Sequence, residues 1–380
     1  MNRRFQVLMM GGNRCGKTSV LTSMFYQAIN GDLNNIFTSS NVTPIHREDN
    51  EVIGLLENKR LELQNFIMKG GNHIFLADRN PGRNIWYYTL RLQLPGTGRH
   101  MEIIFRDCPG TLFYPESPLS DNAMDYMREC DVFIVVVDTP YLMAGTDYEK
   151  EAANIKDSIH TFLTNMNRNE VVQVIFVPVK CERWMKEGKI DRVTQAVEEL
   201  YASTIRDLLA TEEIEVSIIP VETAGDIVFE ELRKSYVLCN NETGRQERCS
   251  LVEMNDTIVR LANGKIHQLR DSESVLEDMT SFFPFTSIER RNAWYSLWHN
   301  PKATYSPHNC EQLLIHILRF IYKKYIPKQL RYIMPPISPF GGITIEEMKY
   351  ILRELSRTGL IKDSGDGIKI LKSYKCDFKI

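Results

Sequence analysis

The chain has 380 residues, of which 43% are hydrophobic and 25% charged, and its formal net charge is -3. This balance is typical of a globular protein with one large domain and smaller additions. The slight negative charge argues against general coating of nucleic acid, which needs a strongly basic surface. The longest apolar run, 132–137, is far too short to span a membrane. The eight cysteines are scattered, which predicts reduced thiols in a cytoplasmic protein.

A glycine-rich segment follows the first apolar run, 5–10. Its sequence GGNRCGKTS matches the phosphate-binding loop pattern G-x-x-x-x-G-K-[ST]. Glycines permit the tight turn, and successive N–H groups then point at phosphate oxygens together with the start of the next helix. Lys17 is expected to reach the β- and γ-phosphates, and the Thr18 hydroxyl to bind Mg²⁺. The predicted nucleotide-contacting residues here are Gly11, Gly12, Asn13, Arg14, Cys15, Gly16, Lys17, Thr18 and Ser19.

Strand-like and helix-like segments alternate through the first two thirds of the chain. Continuous apolar runs are typical of strands buried on both faces of a parallel sheet. The sequence therefore predicts an α/β fold of the P-loop NTPase type, with a mostly parallel sheet and helices on both faces. The predicted elements are a helix at 51–69, hairpin strands at 86–94 and 101–106, strands at 131–138, 171–179 and 215–223, and helices at 149–166 and 191–209.

The second hairpin strand runs into a D-x-x-G segment, Asp107-Cys108-Pro109-Gly110. Asp107 is expected to hold a water on Mg²⁺, and the Gly110 N–H to meet the γ-phosphate, so that hydrolysis releases this segment. The alternative is an ordinary strand that ends in a Pro-Gly turn. The order of elements, a hairpin followed by D-x-x-G, favours the functional interpretation. Lys17, Asp107 and Gly110 are thus predicted catalytic residues, with Thr18 and Asp107 at the metal.

Two later strand ends are candidates for base recognition. The segment Val179-Lys180-Cys181-Glu182 stands where small GTPases carry [NT]-K-x-D. There the Lys stem packs on the base, and the carboxylate accepts the two guanine N–H groups that adenine lacks. The alternative is a solvated loop after a strand. Thr223 and Ala224 follow the next strand, and they are expected to contact guanine through backbone N–H groups.

Two switch features of typical GTPases are missing. No Thr precedes the first hairpin strand in 77–84, and Thr38 and Thr43 lie earlier in the chain. Thr111 occupies the position of the water-orienting Gln, which predicts slow hydrolysis without a partner. Arg83 is a candidate cis arginine that would stabilise transition-state charge, and the alternative is a solvated basic loop.

The domain organisation changes after about residue 227. The sequence predicts a GTPase-like core at 1–227, an inserted β element with an Asn-Gly hairpin at 228–299, a closing helix of the core at 300–326 and a linker at 327–342. The tail, 343–380, is predicted to be a small winged-helix-like or protein-docking appendage. Its modest excess of basic residues makes docking the favoured role, and any contact with nucleic acid is expected only there.

The segments LMMGGNRCGKTSVLTSMF, IIFRDCPGTLF, CDVFIVVVDTP and VIFVPVKCE with IIPVETAG together carry a family resemblance. The chain resembles a translation-factor-class P-loop GTPase, and more specifically it is similar to the bacterial double-GTPase and GTPase-associated-system family. The resemblance covers about 3–227 and 300–326. It implies GTP binding, a switch-like role and genes that operate in multi-protein bacterial defence or conflict systems.

The expected function is therefore a Mg²⁺-dependent GTP-binding switch that hydrolyses GTP slowly and controls a protein effector or needs an activating partner. Two alternatives remain open from the sequence. One is an ATP-binding P-loop NTPase in which VKCE is accidental. The other is a nucleotide-binding scaffold with little hydrolysis. Base preference separates the switch from the first alternative, and turnover with a partner separates it from the second.

Overall fold

The computed structural model describes the following residues: 4–12, 15–40, 42–48, 55–68, 71–75, 85–97, 99–114, 123–144, 148–166, 171–225, 228–235, 251–255, 258–261, 266–268, 293–300, 305–329 and 343–373. The chain forms two compact units. The first comprises Met1–Lys69, Asp78–Ile227 and Lys302–Ile380, and the second comprises Gly70–Ala77 and Val228–Pro301. The second unit contains the segment predicted as an insertion.

The strands are numbered in chain order. They are β1 (Arg4–Met10), β2 (Thr43–Glu48), β3 (Gly71–Phe75), β4 (Trp86–Gln93), β5 (His100–Asp107), β6 (Val132–Asp138), β7 (Val172–Val179), β8 (Ile214–Ile218), β9 (Val228–Ser235), β10 (Leu251–Asn255), β11 (Ile258–Leu261), β12 (Ile266–Gln268), β13 (Ala293–Asn300), β14 (Ser364–Gly365) and β15 (Ile368–Lys372).

The helices are numbered in the same way. They are α1 (Lys17–Asn30), α2 (Asp32–Ser39), α3 (Leu55–Met68), α4 (Ala123–Arg128), α5 (Thr139–Met143), α6 (Tyr148–Asn165), α7 (Glu182–Lys186), α8 (Ile190–Leu200), α9 (Ala202–Ala210), α10 (Cys310–Gln329) and α11 (Ile345–Arg357). None of the helices in the described ranges is long and apolar enough to cross a membrane.

The first unit is built on one nine-stranded sheet with the order β14-β15-β8-β7-β6-β1-β5-β4-β2. The five central strands, β8, β7, β6, β1 and β5, run parallel to one another, and the strands outside them on both sides pair antiparallel. Every residue of β6 and β7 is buried, as expected for apolar strands covered on both faces. One apolar cluster contains α1, α10 and α11, and a second contains α4, α6 and α9 on the other face. The predicted α/β fold class is confirmed.

The tail belongs to the main sheet, contrary to the predicted separate appendage at 343–380. Strand β15 pairs antiparallel with β8, and β14 closes a short hairpin on it. Helix α11 begins with a capping box between Thr344 and Glu347. Its apolar face is buried in the core cluster of the first unit through Met348, Ile351, Leu352 and Leu355. Two interactions therefore hold the tail on the core: α11 buries its apolar face there, and β15 pairs with the edge of β8.

Helix α10 provides the polar contacts that hold the tail in place. The buried Gln312 side chain donates to Leu360 O at 2.7 Å and accepts the Lys362 N–H at 3.1 Å. The His316 ring contacts Lys362 O at 3.0 Å. This helix runs past Pro327, where the sequence predicted the linker to begin, because a proline removes one helical hydrogen bond but need not end a helix. The remainder of that predicted linker, 330–342, lies outside the described residues.

The second unit contains two small sheets, β10-β11-β12 and β3-β13-β9. The predicted Asn-Gly hairpin is present as antiparallel pairing of β11 with β12, and its turn residues 262–265 lie outside the described ranges. Strand β3 was not predicted. It pairs with β13, more than two hundred residues later in the chain, so no local sequence pattern could indicate the pairing.

Candidate nucleotide-binding site

The phosphate loop connects the end of β1 to the start of α1. Gly11 has φ +154°, and a Cβ atom placed on it would lie 2.7 Å from Cys15 Sγ and 2.9 Å from Val136 O. Only glycine fits this turn, because both contacts are far closer than real Cβ contacts. Asn13 and Arg14, predicted to contact the nucleotide, lie outside the described residues.

The Lys17 side chain folds back onto the phosphate loop. Its ammonium donates to Gly11 O at 3.0 Å and to Gly12 O at 2.7 Å, and the residue is only 8% exposed. The two carbonyls are neutral acceptors, and a phosphate oxygen would be a stronger, charged partner for this ammonium. The position fits the predicted role at the β- and γ-phosphates.

Thr18 and Asp107 meet at the predicted metal position. Because β1 and β5 are parallel neighbours with Met9 opposite Asp107, the two segments end side by side. The Thr18 hydroxyl donates to Asp107 Oδ2 at 2.5 Å. Burial raises the pKa of the Asp107 carboxyl, while Lys17 and the Thr18 hydrogen bond favour the charged form. Gly110 follows directly, at the start of the 3-10 turn Gly110–Phe113.

These two oxygen-bearing side chains fit a magnesium ion. In the described ranges, His, Cys, Asp and Glu side chains form no group of three or more that could hold a metal. Mg²⁺ at nucleotide sites needs no such cage, because it takes one or two protein oxygens and completes its shell with phosphates and water. Thr18 and Asp107 supply that minimal set.

Lys180 follows β7, which is separated from β1 by β6, and its side chain reaches the phosphate loop. Its backbone has φ +61°, which is uncommon for a residue with a side chain. A Cβ placed on Gly16 would lie 4.0 Å from Lys180 Cε, so the lysine stem passes over the loop. The Lys180 ammonium donates to Asp138 Oδ2, and both side chains are nearly buried. Asp138 was not predicted as a site residue, although it ends an apolar strand at the edge of the sheet where the other motifs lie.

Glu182 binds the very backbone groups that were predicted to contact the base. Its Oε1 accepts the Thr223 N–H at 3.1 Å and the Ala224 N–H at 3.2 Å. The side chain is only 2% exposed, and within the described residues Oε2 has no hydrogen-bond partner. Burial raises the pKa of this carboxyl to about 7, against the opposing effect of the backbone N–H groups. The structure therefore brings together three of the four residues predicted at the base, Glu182, Thr223 and Ala224.

The loop after β8 is fixed to helix α1 and to the segment that leads into α10. Ser23 Oγ donates to Thr223 O at 2.6 Å and contacts the Tyr305 hydroxyl at 2.9 Å. Gly225 has φ +87°, and a Cβ on it would lie 2.2 Å from Ser306 O. Ser23 and Tyr305 were not predicted, because their relation to Thr223 depends on the folded chain. The base loop is thus held from two sides.

Gly225→Ala should lower the free energy of unfolding by clearly more than Gly359→Ala. Both glycines have left-handed backbone, φ +87° and +70°, which costs an alanine roughly 1–2 kcal/mol. A Cβ on Gly359 meets no atom within 4 Å, whereas one on Gly225 meets the Ser306 backbone. Chemical denaturation of the two variants measures the difference. Equal losses would contradict the close packing of these loops.

Several predicted features lie elsewhere or outside the described residues. Arg83 is outside them, as is the segment 76–84 around it. Thr43 pairs with Gln93, while Trp86 at the other end of β4 pairs with Asp107. That places Thr43 about 20 Å along the sheet from the metal position, so it cannot bind the metal.

The cysteines near the site are buried core residues. Cys15, Cys108 and Cys181 are each at most 1% exposed. Burial raises the pKa of the Cys108 and Cys181 thiols well above the usual range. Thiols buried in this way are unreactive and act as packing residues.

Taken together, the strand–glycine loop–helix unit, the aspartate on the adjacent strand and the parallel central strands of the sheet define a P-loop NTPase fold. A family model described as Double-GTPase 2 matches residues 75–233, which confirms the predicted resemblance to double-GTPases. The match is less than half of the chain. It begins after the phosphate loop and includes Asp107, Lys180, Glu182 and the loop at Thr223.

Three of the solved structures that the chain matches are described as GTP-bound, GTPase-like or GTPase proteins, and all three have low sequence identity to it. The signal recognition particle receptor SRb-GTP/SRX complex from Chaetomium thermophilum has 11% identity and a TM-score of 0.31, covering 60% of this chain and 94% of that one. The Ski7 GTPase-like domain of S. cerevisiae, bound to GDP and inorganic phosphate, has 16% identity and a TM-score of 0.29, covering 58% and 43%.

A small COPII coat GTPase SAR1 from Encephalitozoon cuniculi, in complex with GDP, has 11% identity and a TM-score of 0.27, covering 58% and 69%. A search of curated proteins by sequence gave no match. The TM-scores are low, so the fold assignment rests on the sheet order and the phosphate loop of this chain.

Proposed function

We propose that this protein binds GTP with Mg²⁺, hydrolyses it slowly and acts as a switch on a protein partner. The observation that carries the proposal is the pairing of Glu182 with the Thr223 and Ala224 N–H groups. A carboxylate acceptor beside backbone donors is the complement of guanine, which offers N–H donors next to the O6 acceptor.

Guanine would replace this internal pairing with a matched one. Its N1–H and amino group would donate to the Glu182 carboxylate, whose Oε2 has no partner among the described residues, and O6 would accept the Ala224 N–H. Adenine presents an acceptor at N1, which a carboxylate repels, so ATP would leave buried polar groups unpaired. This favours GTP over the alternative of an ATP-binding protein.

The phosphate side of the site supports the same proposal. Lys17 would exchange its bonds to the Gly11 and Gly12 carbonyls for phosphate oxygens, while the loop N–H groups hold the anion. Thr18 would bind Mg²⁺ directly and Asp107 through a water. A bound ion would neutralise charge on the phosphates, and the protein would contribute position and orientation.

Slow hydrolysis is expected from the residue that follows Gly110. Thr111 occupies the place of a water-orienting Gln, in the turn directly after Gly110. A hydroxyl on so short a side chain cannot reach and orient the attacking water as an amide does. A protein partner would supply the missing group, and Arg83 remains a proposed cis contributor to transition-state charge. The third candidate is a nucleotide-binding scaffold with little hydrolysis, and its turnover would stay low when a partner is added.

Single-turnover hydrolysis of GTP tests this part of the proposal. We expect a rate on the order of 10⁻⁴ s⁻¹ for the isolated protein, as for GTPases that lack their activator. Thr111→Gln should raise the rate, because it restores a group able to orient water. The Lys17→Ala variant controls for contaminating activity. A wild-type rate near 1 s⁻¹ without any partner would contradict slow intrinsic hydrolysis.

The biological setting is proposed from the family resemblance alone. We place the switch in a bacterial multi-protein defence or conflict system, where nucleotide state would control the effector. Phage plating on cells that carry the gene and its neighbours measures this. Protection that is unchanged by Lys17→Ala would remove nucleotide control from the account.

A further inference from the structure

Asp138 is a buried carboxylate that no motif assigns to the nucleotide site. It ends β6, and its register partner on β7 is Val179, the residue before Lys180. Adjacent parallel strands therefore deliver the Asp138 carboxylate and the Lys180 ammonium to the same place. Their side chains form an ion pair and are 5% and 13% exposed, respectively. Nearly all of this pair is shielded from water, so each group depends on the other for its charge balance.

The pair fixes the course of the Lys180 side chain. The left-handed backbone at Lys180 turns the chain sharply after β7, and Asp138 holds the far end of the side chain. Between these two fixed points the stem passes over Gly16 of the phosphate loop. The residue before Lys180 is Val179, and its Cγ2 lies 3.6 Å from a Cβ placed on Gly16. Valine cannot form the hydrogen bonds that an Asn at this motif position would offer.

The end of β6 is itself held firmly. The Asp138 N–H donates to the hydroxyl of Tyr148, from helix α6, at 3.0 Å. The next residue, Thr139, has its hydroxyl 3.3 Å from Cys181 Sγ, and Cys181 directly precedes Glu182. Asp138 thus belongs to a buried set of hydrogen-bond contacts that extends from the end of β6 to the segment with Glu182.

We propose that Asp138 is a positioning residue for guanine nucleotide: it holds the Lys180 stem across the phosphate loop as the surface on which the base lies. This inference rests on the proposed guanine site. The polar anchor that Asn gives in [NT]-K-x-D proteins is here provided by an aspartate on the neighbouring strand. Because the pair acts on the base and not on the γ-phosphate, GTP and GDP depend on it equally.

The central variant is Asp138→Asn, which keeps the shape of the side chain and removes its charge. We expect GTP and GDP to bind roughly tenfold more weakly, the size of effect for one lost charge-assisted hydrogen bond. Hydrolysis at saturating GTP should stay within about twofold of wild type, since the phosphates are unaffected. In a Lys180→Met background the same substitution should have no further effect on affinity, because the group that it positions is already gone.

Asp131→Asn is the matched control. Asp131 immediately precedes β6, at the end of the strand opposite to Asp138. It is ion-paired with Lys324 at 2.7 Å, and the side chains of Asp131 and Lys324 are 13% and 12% exposed. It should change stability without changing nucleotide affinity. Should Asp138→Asn fail to fold, Asp138→Glu keeps the charge and pushes the ammonium out of place. It too should weaken guanine nucleotide binding while hydrolysis at saturation is retained.

Three outcomes overturn the proposal. In a folded Asp138 variant, unchanged affinity for GTP would show that the pair has no part in binding. An equal loss of affinity in the Lys180→Met background would show that Asp138 acts through the fold in general. A wild-type protein that prefers ATP would refute the guanine site itself, and the positioning role with it, so the two failures are distinguished by the wild-type titration.

Discussion

Lys17→Met should reduce the affinity for nucleoside triphosphate by about 100-fold or more. The ammonium is buried inside the phosphate loop and donates to the Gly11 and Gly12 carbonyls at 3.0 Å and 2.7 Å. Methionine keeps most of the length of the stem but leaves the phosphates without this cation. Losing charge-assisted hydrogen bonds worth about 3 kcal/mol corresponds to roughly a 100-fold rise in the dissociation constant. Fluorescent nucleotide titration measures the change directly.

Lys324→Met provides the comparison for a buried lysine. Its ammonium is ion-paired with Asp131 at the far end of the sheet, and the Lys324 side chain is 12% exposed. Removing it should lower stability without weakening nucleotide binding. If the folded Lys17→Met variant binds nucleotide as tightly as wild type, the phosphate-loop assignment is wrong.

Glu182→Gln should stabilise the nucleotide-free protein at alkaline pH. Burial raises the folded-state pKa of Glu182 to about 7 from its ordinary value of 4.5. Between these two values the folded state holds a proton that the unfolded chain releases, so stability falls as the pH rises from 4.5 to 7. Above pH 7 the charged carboxylate costs up to about 3 kcal/mol, which a neutral amide avoids. The variant should melt above wild type at pH 8, and the difference should narrow towards pH 5.

The same substitution should abolish the preference for GTP. An amide cannot accept two guanine donors as a carboxylate does, so GTP affinity should fall roughly 10- to 100-fold while ATP affinity stays constant. In wild type, protonation of Glu182 should weaken GTP binding below about pH 7, with a smaller change for ATP. Calorimetric titration at pH 6 and pH 8 with both nucleotides measures the two effects.

Glu215→Gln is the control for a buried glutamate. This residue is the second of β8, at the end of the strand remote from the base loop, and it is ion-paired with Lys323 at 2.8 Å. The change should lower stability and leave base preference intact. A loss of GTP preference in both variants would mean that selectivity depends on general stability. Loss of GTP and ATP affinity alike in Glu182→Gln would mean that Glu182 does not read the base.

Much of the core could be predicted because its signals are local. The apolar runs of β6 and β7 indicate strands buried on both faces, and both strands occupy the centre of the sheet. The place of the tail could not be predicted in this way. Its helix and hairpin were recognised, but the pairing of β15 with β8 depends on an edge that exists only after the sheet has formed. The same holds for β3, whose partner β13 comes near the end of the insertion.

In the candidate site, too, the local motifs could be predicted and the contacts between distant segments could not. The phosphate loop is contiguous in sequence, so its residue types alone indicate its chemistry. The base site is assembled from three strand ends, and the sequence identified Lys180 and Glu182 by their order in the chain. Asp138 was missed, because its contact with Lys180 follows from the register of two neighbouring strands. The hydrogen bond that the Ala224 N–H donates to the Glu182 carboxylate likewise depends on how two loops meet.

We propose that the facing Glu182 carboxylate and Ala224 N–H make this P-loop protein selective for guanine. The most direct test is titration of the purified full chain with fluorescent GTP and ATP analogues, each with and without Mg²⁺. We predict tight, Mg²⁺-dependent binding of GTP and much weaker binding of ATP. Equal affinity for the two nucleotides, or a preference for ATP, would show that Glu182 and Ala224 do not select guanine.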